Sequence, residues 1–275
     1  MCRWLAYFGD SIPIAWVVLQ PTHSLLDQSL RARLGATTTN GDGFGLGWYA
    51  SGSQPGLFRS VHPAWNDRNL RDLATHISSP LFFAHIRAST GTAVQETNCH
   101  PFRYGCWLFM HNGLVREFPR LKRDLLLAVE PSLLPVIEGS TDSELLFYLA
   151  LTFGLREEPV EALERMAGFV EAVGETHGVG HPLQMAVAVS DGRRIIIVRY
   201  SSERNSRSLF YSATVQAIKA RFPEDERIQN LSEETRIVVS EPLGEESDLW
   251  KEVPESSVGI VQLGQDELLP FAPRR

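Results

Sequence analysis

Cysteine is scarce in this sequence of 275 residues, with only three, at Cys2, Cys99 and Cys106. They cannot all pair and none sits in a CxxC, which argues against a disulfide framework and suits a reducing compartment. A basic excess is also missing. The formal net charge of −7 argues against a general nucleic-acid binder. The local group Arg193, Arg194, Arg199, Arg204 and Arg207 is followed by acidic runs at 224–226 and 245–248, so it reads as a solvated face. Long apolar runs are absent: Ile12–Leu19 is too short to span a bilayer and contains Pro13. The N-terminus makes a poor signal peptide, because Asp10 interrupts it and no small-residue cleavage site follows. These absences predict a cytoplasmic protein with no membrane and no nucleic-acid partner. No repeat and no low-complexity linker divides the chain, so a single domain over 1–275 is expected.

The residues that are present build an ordinary core, with 43% hydrophobic and 21% charged residues. Trp4–Phe8 reads as a buried strand. Ser24–Gly35 reads as a helix capped by Ser24, with Leu26, Leu30 and Leu34 on one face. Glycines then alternate at Gly41, Gly43, Gly45 and Gly47, which suggests a turn feeding a glycine-rich strand. Neither GxGxxG nor Gly-Lys-Ser/Thr is present to favour phosphate binding. Further helices are expected over Asn66–Ser78, Glu117–Val129, a segment opened by Thr141-Asp142-Ser143-Glu144 as a capping box, and Pro159–Gly174. Strands are expected over Leu81–Ile86 and Trp107–Met110, then over Gln184–Ser190 and Arg194–Tyr200 around the hairpin signal Asp191-Gly192. Leu209–Ser212, Ile237–Ser240 and Gly259–Leu263 add more. Strands in two batches with helices mostly between them are compatible with two sheets packed between helical layers.

The chemistry of the first four residues, Met1-Cys2-Arg3-Trp4, organises the rest. Loss of Met1 would leave Cys2 at the N-terminus, its thiol beside a free α-amino group. Reference pKa values of about 8.5 and about 7.7–8.0 let the two exchange a proton near neutral pH, so such a nucleophile carries its own general base. Polar clusters sit at the ends of two expected strands. One is His85, Arg87, Ser89 and Thr90; the other is His111-Asn112-Gly113.

In chain order, Cys2, Asp42-Gly43-Phe44-Gly45, His85-Ile86-Arg87-Ala88-Ser89-Thr90, Asn98-Cys99-His100-Pro101, His111-Asn112-Gly113 and Thr141-Asp142-Ser143-Glu144 resemble the class II glutamine amidotransferases. Val239-Ser240-Glu241-Pro242-Leu243 with Trp250 resembles the free-standing branch that includes the γ-glutamyl amidase of ergothioneine biosynthesis. The resemblance implies an α+β fold, the four-layer αββα sandwich of N-terminal nucleophile hydrolases, and no cofactor or metal. It implies Cys2 as nucleophile on the γ-carboxamide of glutamine or a γ-glutamyl amide. Asn112 and Gly113 would form the oxyanion hole, Arg87 would bind the α-carboxylate and Asp142 the α-ammonium group, with Thr90 and His100 lining or supporting the pocket. Two other roles fit the same motifs: a glutaminase subunit feeding ammonia to a synthase partner, and a non-catalytic glutamine sensor. His85, His100 and His111 show no metal-ligand spacing.

Overall fold

Two antiparallel sheets lie at the centre of the protein. The computed structural model describes residues 2–34, 38–52, 54–89 and 91–275; Met1 and Thr90 lie outside the described residues. The strands are β1 (Arg3–Pro13), β2 (Phe44–Trp48), β3 (Gly56–Ser60), β4 (Ser78–Ile86), β5 (Phe102–Tyr104), β6 (Trp107–Val115), β7 (Leu183–Ser190), β8 (Ile195–Ser201), β9 (Phe210–Ser212), β10 (Arg236–Val239), β11 (Trp250–Glu252), β12 (Ser257–Val261) and β13 (Glu267–Pro270). One sheet has seven strands in the order β11-β9-β10-β1-β4-β2-β3, and the other has six in the order β13-β12-β8-β7-β6-β5. The helices are α1 (Ala15–Val18), α2 (Leu25–Arg31), α3 (Arg68–His76), α4 (Phe118–Leu127), α5 (Asp142–Thr152), α6 (Pro159–Thr176), α7 (Val215–Arg221) and α8 (Glu226–Gln229).

Side-chain parity along the central strands produces the layers. Successive residues of a strand point to opposite faces. In β1, Leu5 and Tyr7 therefore join Phe82, Ala84 and Ile86 of β4 in a core shared with α1, α2 and α3. Trp4, Ala6 and Phe8 point the other way and meet Leu108, Met110, Ala186, Ala188 and Ile197 of the second sheet. Phe109, Val187 and Val189 on that sheet's far face pack with α4, α5 and α6. Three cores separated by two sheets make four layers, αββα, as the sequence predicts.

The alternating glycines are explained by the middle layer. A Cβ on Gly45 would lie 2.2 Å from the His100 carbonyl oxygen, and one on Gly47 would lie 2.8 Å from Leu108 Cδ1. One face of β2 is stripped of side chains so that the 100–101 segment and β6 can approach its backbone.

Several expected elements shift. Ser24 caps α2 in a full capping box with Asp27, but the helix stops at Arg31. Leu30 and Leu34 are 43% and 36% exposed and form no buried stripe. Thr141 caps α5 by accepting from the Glu144 N–H at 3.1 Å. Only half of the expected capping box forms, because the Glu144 carboxylate accepts instead from the N–H groups of Glu138 and Gly139, at 3.0 and 2.7 Å. From Ser143 to Leu151 every residue of α5 is buried, since the helix lies between β6 on one side and α4 and α6 on the others. Among the described residues no helix is long and apolar enough to cross a membrane.

Candidate active site

Cys2 immediately precedes β1, the middle strand of the seven, and its neighbours fix it through the backbone. The Ala88 N–H donates to Cys2 Sγ at 3.3 Å, and the thiol faces the Ala88 carbonyl at 3.5 Å. Two donors converge on the Cys2 carbonyl oxygen, Asn112 Nδ2 at 3.0 Å and Arg3 Nη1 at 2.9 Å. Burial pushes the Cys2 thiol up, opposed by the Ala88 hydrogen bond and the positive charges of Arg87 and Arg3. The sulfur is thus held as the neutral thiol, which would need a base to become a nucleophile.

Asn112 reaches Cys2 because of the parity of β6. Leu108 and Met110 face the other sheet, and Asn112 continues that face. His111 points to the opposite side, where Nδ1 lies 2.8 Å from Ser143 Oγ and Nε2 lies 3.3 Å from the Gln184 carbonyl. With Nε2–H donated to that carbonyl, Nδ1 is left to accept from Ser143, a tautomer assigned from the hydrogen-bond network. Burial lowers the His111 pKa, with the Asp142 charge opposing. Gly113 has φ +149°, and a Cβ there would sit 2.0 Å from the Gln184 oxygen, so this strand position accepts only glycine.

Arg87 follows β4 and is 3% exposed. Its guanidinium donates to Thr92 Oγ1 at 2.7 Å, the Ala93 carbonyl at 3.0 Å, and more distantly to the Asp42 carbonyl and Ser89 Oγ, both at 3.4 Å. Among the described residues no carboxylate pairs with it. Asn98, fully buried, extends the same support: Nδ2 donates to the Ala93 carbonyl at 3.0 Å and Oδ1 accepts from the Ser140 N–H at 2.8 Å. The loop behind Arg87 is thereby tied to the start of α5. There Asp142 accepts from the Val115 N–H at 2.8 Å and the Ser143 N–H at 2.7 Å. Asp142 sits beyond the end of β6 and makes no bond to Arg87 or Cys2 among the described residues.

No hydrogen bond joins His100 to Cys2 among the described residues. The His100 ring stacks on His85 with centroids 4.2 Å apart and tilts against Phe102 at 4.5 Å. Burial, with Arg87 next in effect, pushes the His85 pKa down to about 3, and burial also drives His100 well below the usual histidine range. Both rings are therefore neutral and support the inter-sheet layer, without proton-transfer partners among the described residues. Thr90 lies outside the described residues.

Two residues that carry much of the site were not singled out for roles. Arg3 is 1% exposed and donates through Nε to Glu241 Oε2 at 2.8 Å, while Nη1 holds the Cys2 carbonyl. Glu241 in turn accepts from His23 at 2.6 Å and from the Arg33 and Leu34 N–H groups, both at 2.8 Å. Burial alone would raise the Glu241 pKa; the two N–H groups, Arg3 and His23 reverse this and hold it below the usual carboxylate value. An arginine inside an apolar strand needs a buried anion, and that signal was readable at Arg3. The expectation of a solvated arginine face also needs correction. Arg199 is tied to Glu252 at 2.6 Å and to the Val253 carbonyl, and Arg207 is half-buried near Cys2.

Removing one partner of a buried ion pair costs about 3–5 kcal/mol, so Glu241→Gln is expected to lose a stability of that order at neutral pH. Because the folded pKa is depressed, this contribution is present above the ordinary carboxylate pKa, about 4.3, and is lost as pH falls through the folded value. Denaturant unfolding at neutral and acid pH checks both parts, with the gap between wild type and variant closing in acid.

Comparison with known proteins decides the family. The sequence model of the family described as "Glutamine amidotransferases class-II" matches residues 17–272. The chain belongs to the class II glutamine amidotransferases. It is 33% identical over 289 aligned residues to the "Probable glutamine amidotransferase DUG3" of Saccharomyces cerevisiae, covering 94% of this chain and 81% of that protein. Over 117 residues it is 33% identical to the "Gamma-glutamyl-hercynylcysteine sulfoxide hydrolase" of Mycobacterium tuberculosis, covering 42% of this chain and half of that one. A solved "glutamine aminotransferase class-II domain protein" from Silicibacter pomeroyi superposes with TM-score 0.76 at 31% identity, over the whole of both chains. The glutamine phosphoribosylpyrophosphate amidotransferase of B. subtilis shares the fold at TM-score 0.66 and 15% identity, over 99% of this chain and half of that one. With relatives named as amidotransferases and hydrolases, this member of the family is an enzyme.

Proposed function

We propose that the chain hydrolyses the γ-carboxamide of glutamine or of a γ-glutamyl amide, with Cys2 as the nucleophile. The observation that carries this reading is the Cys2 thiol, held by the Ala88 backbone with Asn112 on its carbonyl and the unpaired, buried Arg87 guanidinium alongside. A cation buried without an anion is costly, and a substrate α-carboxylate would supply the missing charge in bidentate geometry. The relative named as a γ-glutamyl-hercynylcysteine sulfoxide hydrolase supports γ-glutamyl amides as the substrate class.

After loss of Met1, the α-amino group of Cys2 takes the thiol proton as sulfur attacks the γ-carbonyl carbon. One amide N–H of Asn112 binds the Cys2 carbonyl, and its second N–H is available to the developing oxyanion, with the Gly113 backbone beside it. Such a donor contributes about 10²–10³ in rate. The tetrahedral intermediate collapses, the α-ammonium returns the proton to the departing ammonia or amine, and water hydrolyses the γ-glutamyl thioester to glutamate and free thiol. Asp142, at the N-terminus of α5, would bind the substrate α-ammonium group.

Glutamate release assayed across glutamine and a panel of γ-glutamyl amides tests the proposal. Turnover of at least one member is expected; purified, Met1-free protein that releases glutamate from none of them would overturn it.

A further inference from the structure

A second cation, Arg207, lies within electrostatic reach of Cys2 and makes no hydrogen bond or ion pair among the described residues. Arg207 lies in the connection between β8 and β9, and its neighbours are anchored on both sides. Ser206 donates from its N–H to Glu255 at 3.1 Å, and Ser208 Oγ donates to the Ser240 carbonyl at 2.7 Å. Ser240 itself accepts from the Trp4 N–H through Oγ at 2.9 Å. The connection is therefore fastened beside β10, the strand that flanks β1 on the side opposite β4. The Arg207 guanidinium is close enough to interact electrostatically with Cys2, Arg3 and His111. Among the described residues it makes no hydrogen bond and no ion pair, and its Nε is buried without a partner. Burial lowers its pKa from the ordinary arginine value, yet an arginine remains charged.

Arg87 and Arg207 thus lie on opposite flanks of the same strand, one past the end of β4 and the other beside the end of β10. Only one of them can meet the α-carboxylate of a γ-glutamyl group bound at Cys2. Glutamine has no second anion to offer, because its leaving group is ammonia. A substrate that satisfies both guanidinium groups carries a negative charge on each side of the scissile carbonyl.

We infer that Arg207 is a specificity-determining residue that binds an anionic group, a carboxylate or its like, on the amine portion of the substrate, so that the preferred substrates are γ-glutamyl amides of acidic or carboxylate-bearing amines rather than glutamine. This rests on the amidase reading above. The reaction then consumes water and releases glutamate and an amine that keeps its anion.

The test compares γ-glutamyl-glycine with γ-glutamyl-glycinamide, which differ only in the terminal charge. Wild-type protein is expected to favour the carboxylate by about tenfold or more in kcat/KM, with the preference shrinking as salt is added. Arg207→Gln should bring the ratio to near unity, and Arg207→Lys should keep part of it, since the charge persists while the planar fork is lost. The wild-type ratio and its salt dependence need no variant, so a folding failure of either substitution does not remove the test. Equal rates on the two amides, or a preference unchanged in Arg207→Gln, would overturn this inference while leaving glutamine turnover to support the amidase reading. Release of glutamate from glutamine and from neither amide would do the same. A wild-type protein inactive on all three would overturn both.

Discussion

Cys2→Ala is expected to fold as the parent does and to lose glutamate release by a factor on the order of 10³ or more, to the floor of the assay. The substitution removes one thiol that is half-buried and, among the described residues, bonded only to the Ala88 backbone. It leaves the two donors on the Cys2 carbonyl, Asn112 and Arg3, where they are. Stability should therefore change little while the electron pair that attacks the amide is gone. The other two cysteines provide the control. Cys99 is buried, with its thiol against the Ser60 and Gln95 carbonyls, and burial pushes its pKa up to about 11, which makes it a packing residue. Cys106 lies in the turn between β5 and β6. Cys99→Ser and Cys106→Ser should keep most of the activity. Rates and thermal unfolding measured on the three variants separate nucleophile from packing, and full turnover by Cys2→Ala would sink the assignment.

The second large effect concerns recognition. Arg87→Lys keeps the charge but loses the planar group in which Nη2 alone holds Thr92 and Ala93 while the other nitrogens can face a substrate. A lysine ammonium is one point charge on a flexible stem and cannot hold that loop and a substrate carboxylate at once. Disrupting a buried charge pair costs about 2–5 kcal/mol in binding, so KM should rise by roughly 30-fold to several thousand-fold. The loss of kcat should be smaller, unless the loop shift also moves Ala88. Binding and chemistry are distinguished by a substrate that lacks the α-carboxylate. Wild type should handle it as poorly as the variant handles the complete substrate, and equal wild-type rates with and without that carboxylate would contradict the role.

Much of the fold was legible because burial imposes period. The apolar runs at Trp4–Phe8, Leu81–Ile86 and Gln184–Ser190 became the centres of β1, β4 and β7. Asp191-Gly192 made the expected turn, with Gly192 at φ +87° and the Asp191 carboxylate accepting from the Arg193 and Arg194 N–H groups. Short edge strands were not legible. β13 exposes every residue and β3 is only half-buried over most of its length, so neither writes a clear hydrophobic pattern. α7 and α8 escaped for the same reason, with Val215 the one buried residue between them.

The site followed a similar division. Cys2 and Arg87 stand at strand ends and Asn112 lies within β6, which runs on to Val115 beyond the expected Met110, and their approach follows from pairing and parity. The supporting contacts depend on pairs far apart in sequence, which no local pattern encodes. Arg3 with Glu241 is separated by 238 positions, and Asn98 with Ser140 by 42. Arg207 reads as part of a solvated face because its neighbours in sequence are charged, although its neighbours in space include Cys2.

The central claim is that an N-terminal cysteine attacks with its own amine as base, and the state of Met1 tests it most directly. With Met1 attached, the Cys2 nitrogen is a peptide amide without a basic lone pair. His85 and His100 offer no replacement, being buried and neutral and without a side-chain hydrogen-bond partner among the described residues. Intact-mass measurement paired with a glutamate-release assay on the same sample decides the matter. Protein lighter by one methionine is predicted to turn over and Met1-retaining protein to be inactive; undiminished turnover by a homogeneous Met1-retaining sample would contradict the account.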